Sequence, residues 1–394
     1  MMVRGFLQTP APDGISYSPG TIAQAVAEGL QQKGHNITFY GPEGSKIDTP
    51  VESCGVRARA STQEDIDALV GTKELFGDYI FALDDAVLVK RMFERAHAGE
   101  YDCLIFNHFE SALPFCSLYP DVPVVFILHD FIDENRRTVM ERHTAPNQYY
   151  LSISNSQRRD APDLPYAATI YNGVNTEFYS FNQDADQYLF FAGRITPSKG
   201  VKEAIQVAQQ TKRRLLIAGP LSNADYWYFE EHVRPYLDNQ ILFLGMLEKE
   251  QLVKYYQNAA ALLVPIQWQE PFGLTMAEAG ACGTQVIAFN RGSVPEVIKD
   301  GVSGFVVNNS AEMIMAVEKI NTLDRAACRK HIEDNFTLDN MVSSYEKVLS
   351  GIIQSHHAPS PSSASVELKD QLAILSKNIL GPIRKKHIKN KKKR

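Results

Sequence analysis

Residues 260–282, AALLVPIQWQEPFGLTMAEAGAC, predict a strand, a loop and a helix in succession. The run Ala261–Val264 is apolar and strand-sized, and Pro271 and Gly273 suit a sharp loop that enters a helix. We predict that this helix extends from near Gly273 to Cys282. In a sheet of parallel strands such a loop lies at the carboxyl end of its strand, where ligands bind.

Strand-like and helix-like segments alternate on both sides of this stretch, which predicts parallel sheets with helices on both faces. The first series contains the apolar segments Met2–Gln8, Asn36–Tyr40, Asp102–Phe106, Pro123–Leu128 and Tyr150–Ser154. The second series contains Tyr188–Ala192, Leu215–Ala218, Ile241–Leu244, Ala261–Val264 and Gln285–Ala288. Helices are predicted at Thr21–Lys33, Ala86–Ala98, Val201–Gln210, Tyr226–Leu237 and Lys249–Ala259. We therefore expect an α/β protein with two doubly wound, Rossmann-like domains that face each other across a cleft.

The chain divides into three predicted regions. The polar run 182–187 separates the two strand series, so we assign residues 1–175 to the first domain and 176–353 to the second. Residues 355–365, SHHAPSPSSAS, have the composition of a flexible linker. We assign 354–394 to this linker, an amphipathic segment and a basic tail.

The composition is typical of a soluble globular protein, with 44% hydrophobic and 22% charged residues. Five single cysteines form no CxxC pair and no Cys/His cluster, so a disulfide framework or a cysteine metal site is not expected. No apolar run has the length of a signal peptide core or a membrane span, which takes about 20 residues. We expect a cytoplasmic protein.

The net charge of −6 is unevenly distributed along the chain. The last fourteen residues carry eight Lys or Arg and no acid, which leaves −14 on residues 1–380. Residues 366–380 place apolar side chains at 368, 372, 375 and 379, on one helical face. Residues 366–394 could therefore contact an anionic membrane at the inner face. A solvated tail, a helix docked on the body and nucleic-acid contact stay open, although the absence of interleaved aromatics disfavours nucleic acid.

The loop Gly193–Gly200, GRITPSKG, follows a predicted strand and precedes a helix. Gly193 permits close approach of the backbone. Arg194 and Lys199 can place two positive charges over a phosphate group. A solvated loop without a ligand is the alternative.

The segment EPFGLTMAE, residues 270–278, places two carboxylates around a helix start. A helix N-terminus offers free N–H groups and a positive dipole end, which favour an anion such as a diphosphate. Carboxylates accept hydrogen bonds from hydroxyls, so one of Glu270 and Glu278 could hold the sugar and the other the ribose of a nucleotide sugar. An ordinary helix start decorated with acid is the alternative.

Four segments of the chain together resemble retaining glycosyltransferases of family 4, which have the GT-B fold. These segments are GRITPSKG, EPFGLTMAE with its E-x7-E spacing, RGSVPEVIKDGVSGFVV and NGVN at 172–175. The resemblance is specific from about 168 to 350 and looser over 1–165. It implies that the first domain binds the acceptor and that the second binds a nucleotide-diphosphate sugar, with a UDP-sugar favoured. The acceptor would be a glycan, a lipid-linked molecule or a small molecule.

The resemblance also assigns residues to the donor site. Arg194 and Lys199 match the basic pair on the diphosphate, Glu270 matches a catalytic-site glutamate near the transferred sugar, and Glu278 matches a ribose ligand. The remaining donor-binding positions of the second domain are Met246 and Leu247 near the base, and Phe272, Gly273 and Leu274 in the turn.

The first domain matches the family less closely. The family has a Gly-Gly pair in its first loop, whereas this chain has Gly14 within GISYSPG. The resemblance assigns Gly14 to donor binding, with its backbone near a phosphate. His129 follows an apolar strand and matches the family's cleft histidine, a catalytic position. His108 is assigned a structural or acceptor-side role.

The resemblance implies transfer with retained configuration, no cofactor and no metal. Asp184 and Asp186 form a D-x-D, which binds metal in another glycosyltransferase fold, but they precede a strand on the side away from the cleft. A sugar phosphorylase or nucleotide-sugar epimerase of the same fold, and a non-catalytic nucleotide-sugar-binding protein, are the alternative functions.

Overall fold

The computed structural model of the protein describes residues 1–15, 17–62, 64–66 and 76–357, without the side chains of residues 76–80 and 357. The predicted amphipathic segment and basic tail, 366–394, and most of the predicted linker lie outside the described residues, as does Ser16. The final described helix continues to His357, so residues 355–357, assigned above to the linker, are helical.

The first half of the chain forms parallel strands, and every pairing among them is parallel. Their bounds are β1 Phe39–Tyr40, β2 Val51–Glu52, β3 Leu104–Phe106, β4 Val124–Leu128, β5 Gln148–Ser152 and β6 Tyr166–Thr169. Strands β3 to β6 are neighbours in chain order, and β1 pairs with β2. All five residues of β4 are buried, as expected for a strand covered on both faces.

The segment Met2–Gln8 is not a continuous strand. Met2 bridges both Tyr40 and Phe106 and so links β1 to β3, while Leu7 bridges Ala60. Between these points the chain turns at Gly5, whose N–H donates to the buried Asp85 carboxylate at 2.7 Å. The apolar composition was recognised correctly, but the turn depends on Asp85, eighty positions away.

The second half forms a six-stranded parallel sheet. Its strands are β7 Leu189–Ala192, β8 Leu215–Ala218, β9 Ile241–Phe243, β10 Ala261–Val264, β11 Val286–Phe289 and β12 Gly304–Val307. Their order in space is β12-β11-β10-β7-β8-β9. The five predicted strands of this half are confirmed, and β12 was missed along with β2 and β6.

Helices connect the strands in both halves, as the alternating pattern predicted. In the described part of the chain they include α1 Ser18–Gln32, α2 Phe76–His97, α3 Leu113–Cys116, α4 Glu134–Arg142, α5 Val201–Thr211 and α6 Tyr226–His232. Further along the chain follow α7 Lys249–Asn258, α8 Leu274–Ala281, α9 Val294–Val297, α10 Ser310–Lys319, α11 Arg325–Asn335 and α12 Leu338–His357. The predicted helix Tyr226–Leu237 was too long, because the chain breaks after His232 and continues as a 3-10 turn that contains Pro235.

Residues 1–352 form one compact unit that contains both sheets. Within it, the α9 carboxylate of Glu296 accepts the backbone N–H groups of Asn155 and Ser156, each at 2.7 Å. It also accepts the Tyr171 hydroxyl at 2.9 Å. In α12, Glu346 lies 2.9 Å from His35, next to the end of α1. These contacts tie the two halves of the chain together, while the domain limits stay a prediction.

Candidate active site

The order of the second sheet places two predicted site loops side by side. The chain starts in the middle of the sheet with β7, builds outward to β9, then returns to β10 beside β7 and builds outward to β12. Ligands bind at such a reversal, beyond the carboxyl ends of the two central strands. The loop that follows β7 carries Arg194 and Lys199, and the loop that follows β10 carries Glu270.

These two loops are in direct contact. The Gln267 N–H donates to the Ser198 carbonyl at 2.8 Å. Gly200 has a left-handed backbone with φ of 77°, and a Cβ atom there would lie 1.9 Å from the Pro265 carbonyl oxygen. A larger residue at Gly200 would push the loops apart, so glycine is required for the approach.

Lys199, Trp268 and Glu270 form a cluster at this contact. The Lys199 Nζ donates to Glu270 Oε2 at 2.8 Å, and the Trp268 indole N–H donates to the same oxygen at 3.2 Å. The Lys199 ammonium also lies 5.0 Å from the centre of the Trp268 ring, within cation–π range. Glu270 is only 8% exposed. The cluster therefore holds a charged pair in place at the reversal point of the sheet.

Trp268 was not identified from sequence as a site residue. The available signal was its position two residues before Glu270, in a loop already assigned to the site.

The loop 291–293 fixes the turn that carries Glu270. The Ser293 N–H donates to the Glu270 carbonyl at 2.9 Å, and the Ser293 hydroxyl donates to the Phe272 carbonyl at 2.9 Å. The Gly292 N–H donates to the Gln269 side-chain oxygen at 2.7 Å. The motif RGSVPEVIKDGVSGFVV includes Gly292 and Ser293, to which the sequence assigned no site role; their contacts show that they shape the turn.

The turn leads into α8 through Gly273, which has φ of 81°. Among the described residues no side chain caps this helix start. Phe272 is buried in the core, where its ring lies 6.3 Å from that of Tyr171. Leu274, the first residue of α8, is partly buried. The buried phenylalanine anchors the turn, and the positive end of α8 is available to an anion.

Glu278 lies within α8 and has tyrosine partners. The Tyr256 hydroxyl donates to Glu278 Oε2 at 3.1 Å, and Tyr179 also donates to this carboxylate. Burial raises the pKa of Glu278, and the two tyrosine hydrogen bonds act in the opposite direction. The structure thus gives Glu278 protein partners, and its ribose contact stays a prediction.

The other predicted donor residues of the second half lie in loops at the same sheet edge. Arg194 is exposed in the loop after β7, and no ion pair links it to another described residue. Met246 and Leu247 follow β9, with Met246 38% exposed and Leu247 partly buried. Gly219, after β8, packs so closely that its Cβ would lie 1.8 Å from the Gly193 carbonyl oxygen.

His129 follows β4 in the first half of the chain. It lines a recess together with Asn107, His108, Asp130 and Arg136. The His129 Nε2 lies 2.8 Å from Asn107 Oδ1. Burial lowers the pKa of His129 to about 4, so its imidazole is neutral at neutral pH.

His108 and Gly14 have different surroundings. His108 lines the same recess, and its Nε2 is hydrogen-bonded to the Tyr17 hydroxyl. Burial lowers the pKa of His108 well below its usual value. Gly14 has φ of 79°, and a Cβ there would meet open space. The backbone at Gly14 is thus accessible, while its phosphate contact stays a prediction.

The D-x-D segment lies at the other end of β7 from the site loop. The Asp186 N–H donates to the Asn258 carbonyl at 2.8 Å, and both aspartates are exposed. Across the described ranges, no group of three or more His, Cys, Asp or Glu side chains could hold a metal ion.

The site loops of the second half lie within a segment that matches a known protein family. Residues 176–332 match the family described as glycosyl transferases group 1. This segment contains the loops of Lys199 and Glu270 and the loop of Ser293. A curated relative, the D-inositol 3-phosphate glycosyltransferase of Mycolicibacterium smegmatis, is 31% identical over 253 residues, which cover 58% of this chain and 56% of the relative. The chain spans about half the length of the first curated relatives it matches.

Similarity to solved structures establishes the fold. The sucrose-phosphate synthase of Thermosynechococcus elongatus is similar with a TM-score of 0.67 and 18% identity, over 90% of this chain and 96% of that one. HepE of Anabaena, solved with UDP and glucose, has a TM-score of 0.66 and 16% identity, over 86% of this chain and 98% of that one. The chain has the GT-B fold, as the sequence predicted, with two α/β domains.

Proposed function

We propose that the protein is a retaining glycosyltransferase of family 4 that transfers a sugar from a nucleotide-diphosphate sugar to a glycan, glycolipid or small-molecule acceptor. The observation that carries this proposal is the Lys199–Trp268–Glu270 cluster at the reversal point of the second sheet. It combines a cation for a phosphate with a carboxylate for sugar hydroxyls, inside the segment that matches the glycosyltransferase family.

The reaction breaks the bond between the anomeric carbon and the diphosphate, through a transition state that resembles an oxocarbenium ion. Negative charge develops on the leaving diphosphate. Lys199, Arg194 and the start of α8 can stabilise it because they present positive charge at one sheet edge. Glu270 is assigned to sugar hydroxyls and not to nucleophilic attack, since its carboxylate is buried and already accepts two hydrogen bonds.

The proposed donor is a UDP-sugar, and the proposed reaction needs no metal. The choice of UDP is supported by the fold shared with HepE, which was solved with UDP and glucose. A reaction without metal is supported by the positive groups of the site, which can neutralise the diphosphate in place of a metal cation. The recess beside His129 is the proposed acceptor side of the cleft.

A donor panel tests the proposal. Wild-type protein is incubated with UDP-, GDP- and ADP-sugars, with and without EDTA, and the released nucleotide and sugar are identified by chromatography. We expect UDP release that EDTA leaves unchanged, and turnover at least 100-fold lower for Glu270→Gln. Asp184→Asn is the matched control and should retain wild-type turnover.

The products separate the alternative functions. A phosphorylase would form a sugar phosphate from inorganic phosphate, and an epimerase would release a sugar with changed configuration. A non-catalytic binder would be stabilised by the donor, by about 2.7 kcal/mol at 100 times Kd, without turnover. Absence of turnover with every donor, together with wild-type donor binding by Glu270→Ala, would contradict the proposal.

We also propose, from the sequence, that residues 366–394 bring the protein to the inner, anionic face of a membrane. Each basic residue near such a surface contributes about 1 kcal/mol. No helix in the described part of the chain combines the length and apolarity that crossing a bilayer requires. In vesicle flotation, full-length protein should float with anionic vesicles and a chain ending at residue 365 should not. Equal flotation of the two proteins would reject membrane contact.

A further inference from the structure

The hydrogen bonds of Asn107 determine which of its side-chain atoms faces His129. The Asn107 Nδ2 lies 3.0 Å from the Met2 carbonyl oxygen. A carbonyl oxygen only accepts hydrogen bonds, so the atom that faces it must be the amide nitrogen. The side-chain oxygen, Oδ1, is therefore the atom that lies 2.8 Å from His129 Nε2. Asn107 is only 2% exposed, so this orientation is set inside the protein.

The orientation of the Asn107 side chain determines which imidazole nitrogen of His129 carries the hydrogen. Because Oδ1 can only accept, Nε2 must carry the hydrogen. The neutral imidazole then has its lone pair on Nδ1. No hydrogen bond links Nδ1 to another described residue, and the His129 ring lines the recess. His129 thus presents a hydrogen-bond acceptor that has no protein partner among the described residues.

We propose that Asn107 is a positioning residue that holds His129 as the Nε2–H tautomer, so that Nδ1 accepts a hydrogen bond from a substrate hydroxyl. This inference rests on the proposed function. It assigns His129 to a hydroxyl and not to the diphosphate, because an unprotonated nitrogen cannot donate to a phosphate oxygen. The hydroxyl would belong to the transferred sugar or to the acceptor, the two hydroxyl-bearing substrates of the proposed reaction.

The strand order explains why Asn107 can act on a residue twenty-two positions away. Asn107 directly follows β3 and His129 directly follows β4, and these strands are parallel neighbours with Phe106 opposite Phe126. Their carboxyl ends therefore bring the two side chains together at one edge of the sheet. The Asn107 N–H also donates to the Met2 carbonyl, at 3.1 Å, which anchors its backbone as well.

The test measures the tautomer directly. Side-chain ¹⁵N NMR of the full-length protein is recorded at about pH 8.5, where imidazole is ordinarily neutral, and the His129 signals are assigned by their loss in His129→Asn. We expect the Nε2–H tautomer in wild type. Asn107→Leu, which removes the acceptor at similar size, should show a mixture or the Nδ1–H tautomer. Asn107→Asp keeps an acceptor oxygen and should restore Nε2–H.

Turnover is measured on the same variants. Loss of one aligned hydrogen bond should lower kcat of Asn107→Leu about tenfold, with the donor KM within about threefold, and Asn107→Asp should recover most of kcat. An Nδ1–H tautomer in wild type, or an unchanged Nε2–H tautomer in Asn107→Leu, would overturn the proposal. The NMR result needs no turnover, so it remains decisive even if the donor panel rejects the proposed function.

Discussion

Replacing Lys199 with methionine is expected to lower sugar-donor turnover by about 100-fold or more. The substitution keeps most of the side-chain length but removes the ammonium group next to Glu270, where the diphosphate charge would develop. The measurement is kcat/KM for the donor, with Lys202→Met as the matched control. Lys202 lies three positions further on, in the first turn of α5, and its replacement should leave turnover within about threefold of wild type.

The same substitution should also change stability, and a double variant separates the two effects. Lys199→Met leaves the buried Glu270 carboxylate without its ion-pair partner, which should reduce the free energy of unfolding by about 1–3 kcal/mol. Lys199→Met/Glu270→Gln removes the unpaired charge, so we expect recovery of stability without recovery of turnover. If Lys199→Met keeps near-normal turnover, the assignment of Lys199 to the diphosphate is wrong.

Replacing Gly292 with alanine is expected to distort the Glu270 turn and to remove most of the activity. A Cβ at Gly292 would lie 2.3 Å from both the backbone nitrogen and the carbonyl oxygen of Glu270. Since no real Cβ contact is that short, the turn and its carboxylate must move. A displacement of about 1 Å at a reacting centre can lower turnover about 100-fold. Thermal unfolding and donor turnover measure the two consequences.

Gly301 provides the control for Gly292. It also has a left-handed backbone, with φ of 72° against 62° for Gly292, but a Cβ there would meet open space. Both alanine variants therefore carry the backbone penalty of about 1–2 kcal/mol, and only Gly292→Ala adds the collision. Equal loss of stability and unchanged turnover in both variants would show that the close approach of Gly292 does not shape the turn.

The Lys199–Glu270 ion pair affects how Lys199 could bind the phosphate of a donor. The sequence assigned the lysine to the diphosphate and the glutamate to the sugar, as separate tasks. The structure joins them at 2.8 Å, so one ammonium group is shared between the carboxylate and any phosphate that binds. The Trp268 N–H gives Glu270 a second partner at 3.2 Å. Under the proposed function, Glu270 would therefore keep the Trp268 hydrogen bond if Lys199 turned to a phosphate.

Local sequence patterns predicted β7 to β11 well, because each is a short apolar run whose side chains are buried or partly buried. The fully buried runs β8, residues 215–218, and β11, residues 286–289, are examples. Strands β2, β6 and β12 were not predicted. β2 has only two residues, and the side chains of β6 are exposed or partly buried, so neither produces a clear apolar pattern. The aromatic and apolar residues of Tyr226–Leu237 predicted a single helix. In the structure this helix ends at His232, and the chain continues as a 3-10 turn that contains Pro235.

The sequence by itself determined the α/β class, because short apolar runs form strands and glycine with proline forms the loops after them. The GT-B fold, and the loops of Lys199, Glu270 and His129 as candidate site loops, were predicted from the resemblance of sequence motifs to a known family. The tertiary structure alone decided which of these loops meet. Lys199 reaches Glu270 across seventy-one positions because β7 and β10 are neighbours, and Asn107 reaches His129 because β3 and β4 are neighbours. Strand order is a property of the whole packed sheet, so no single segment contains it.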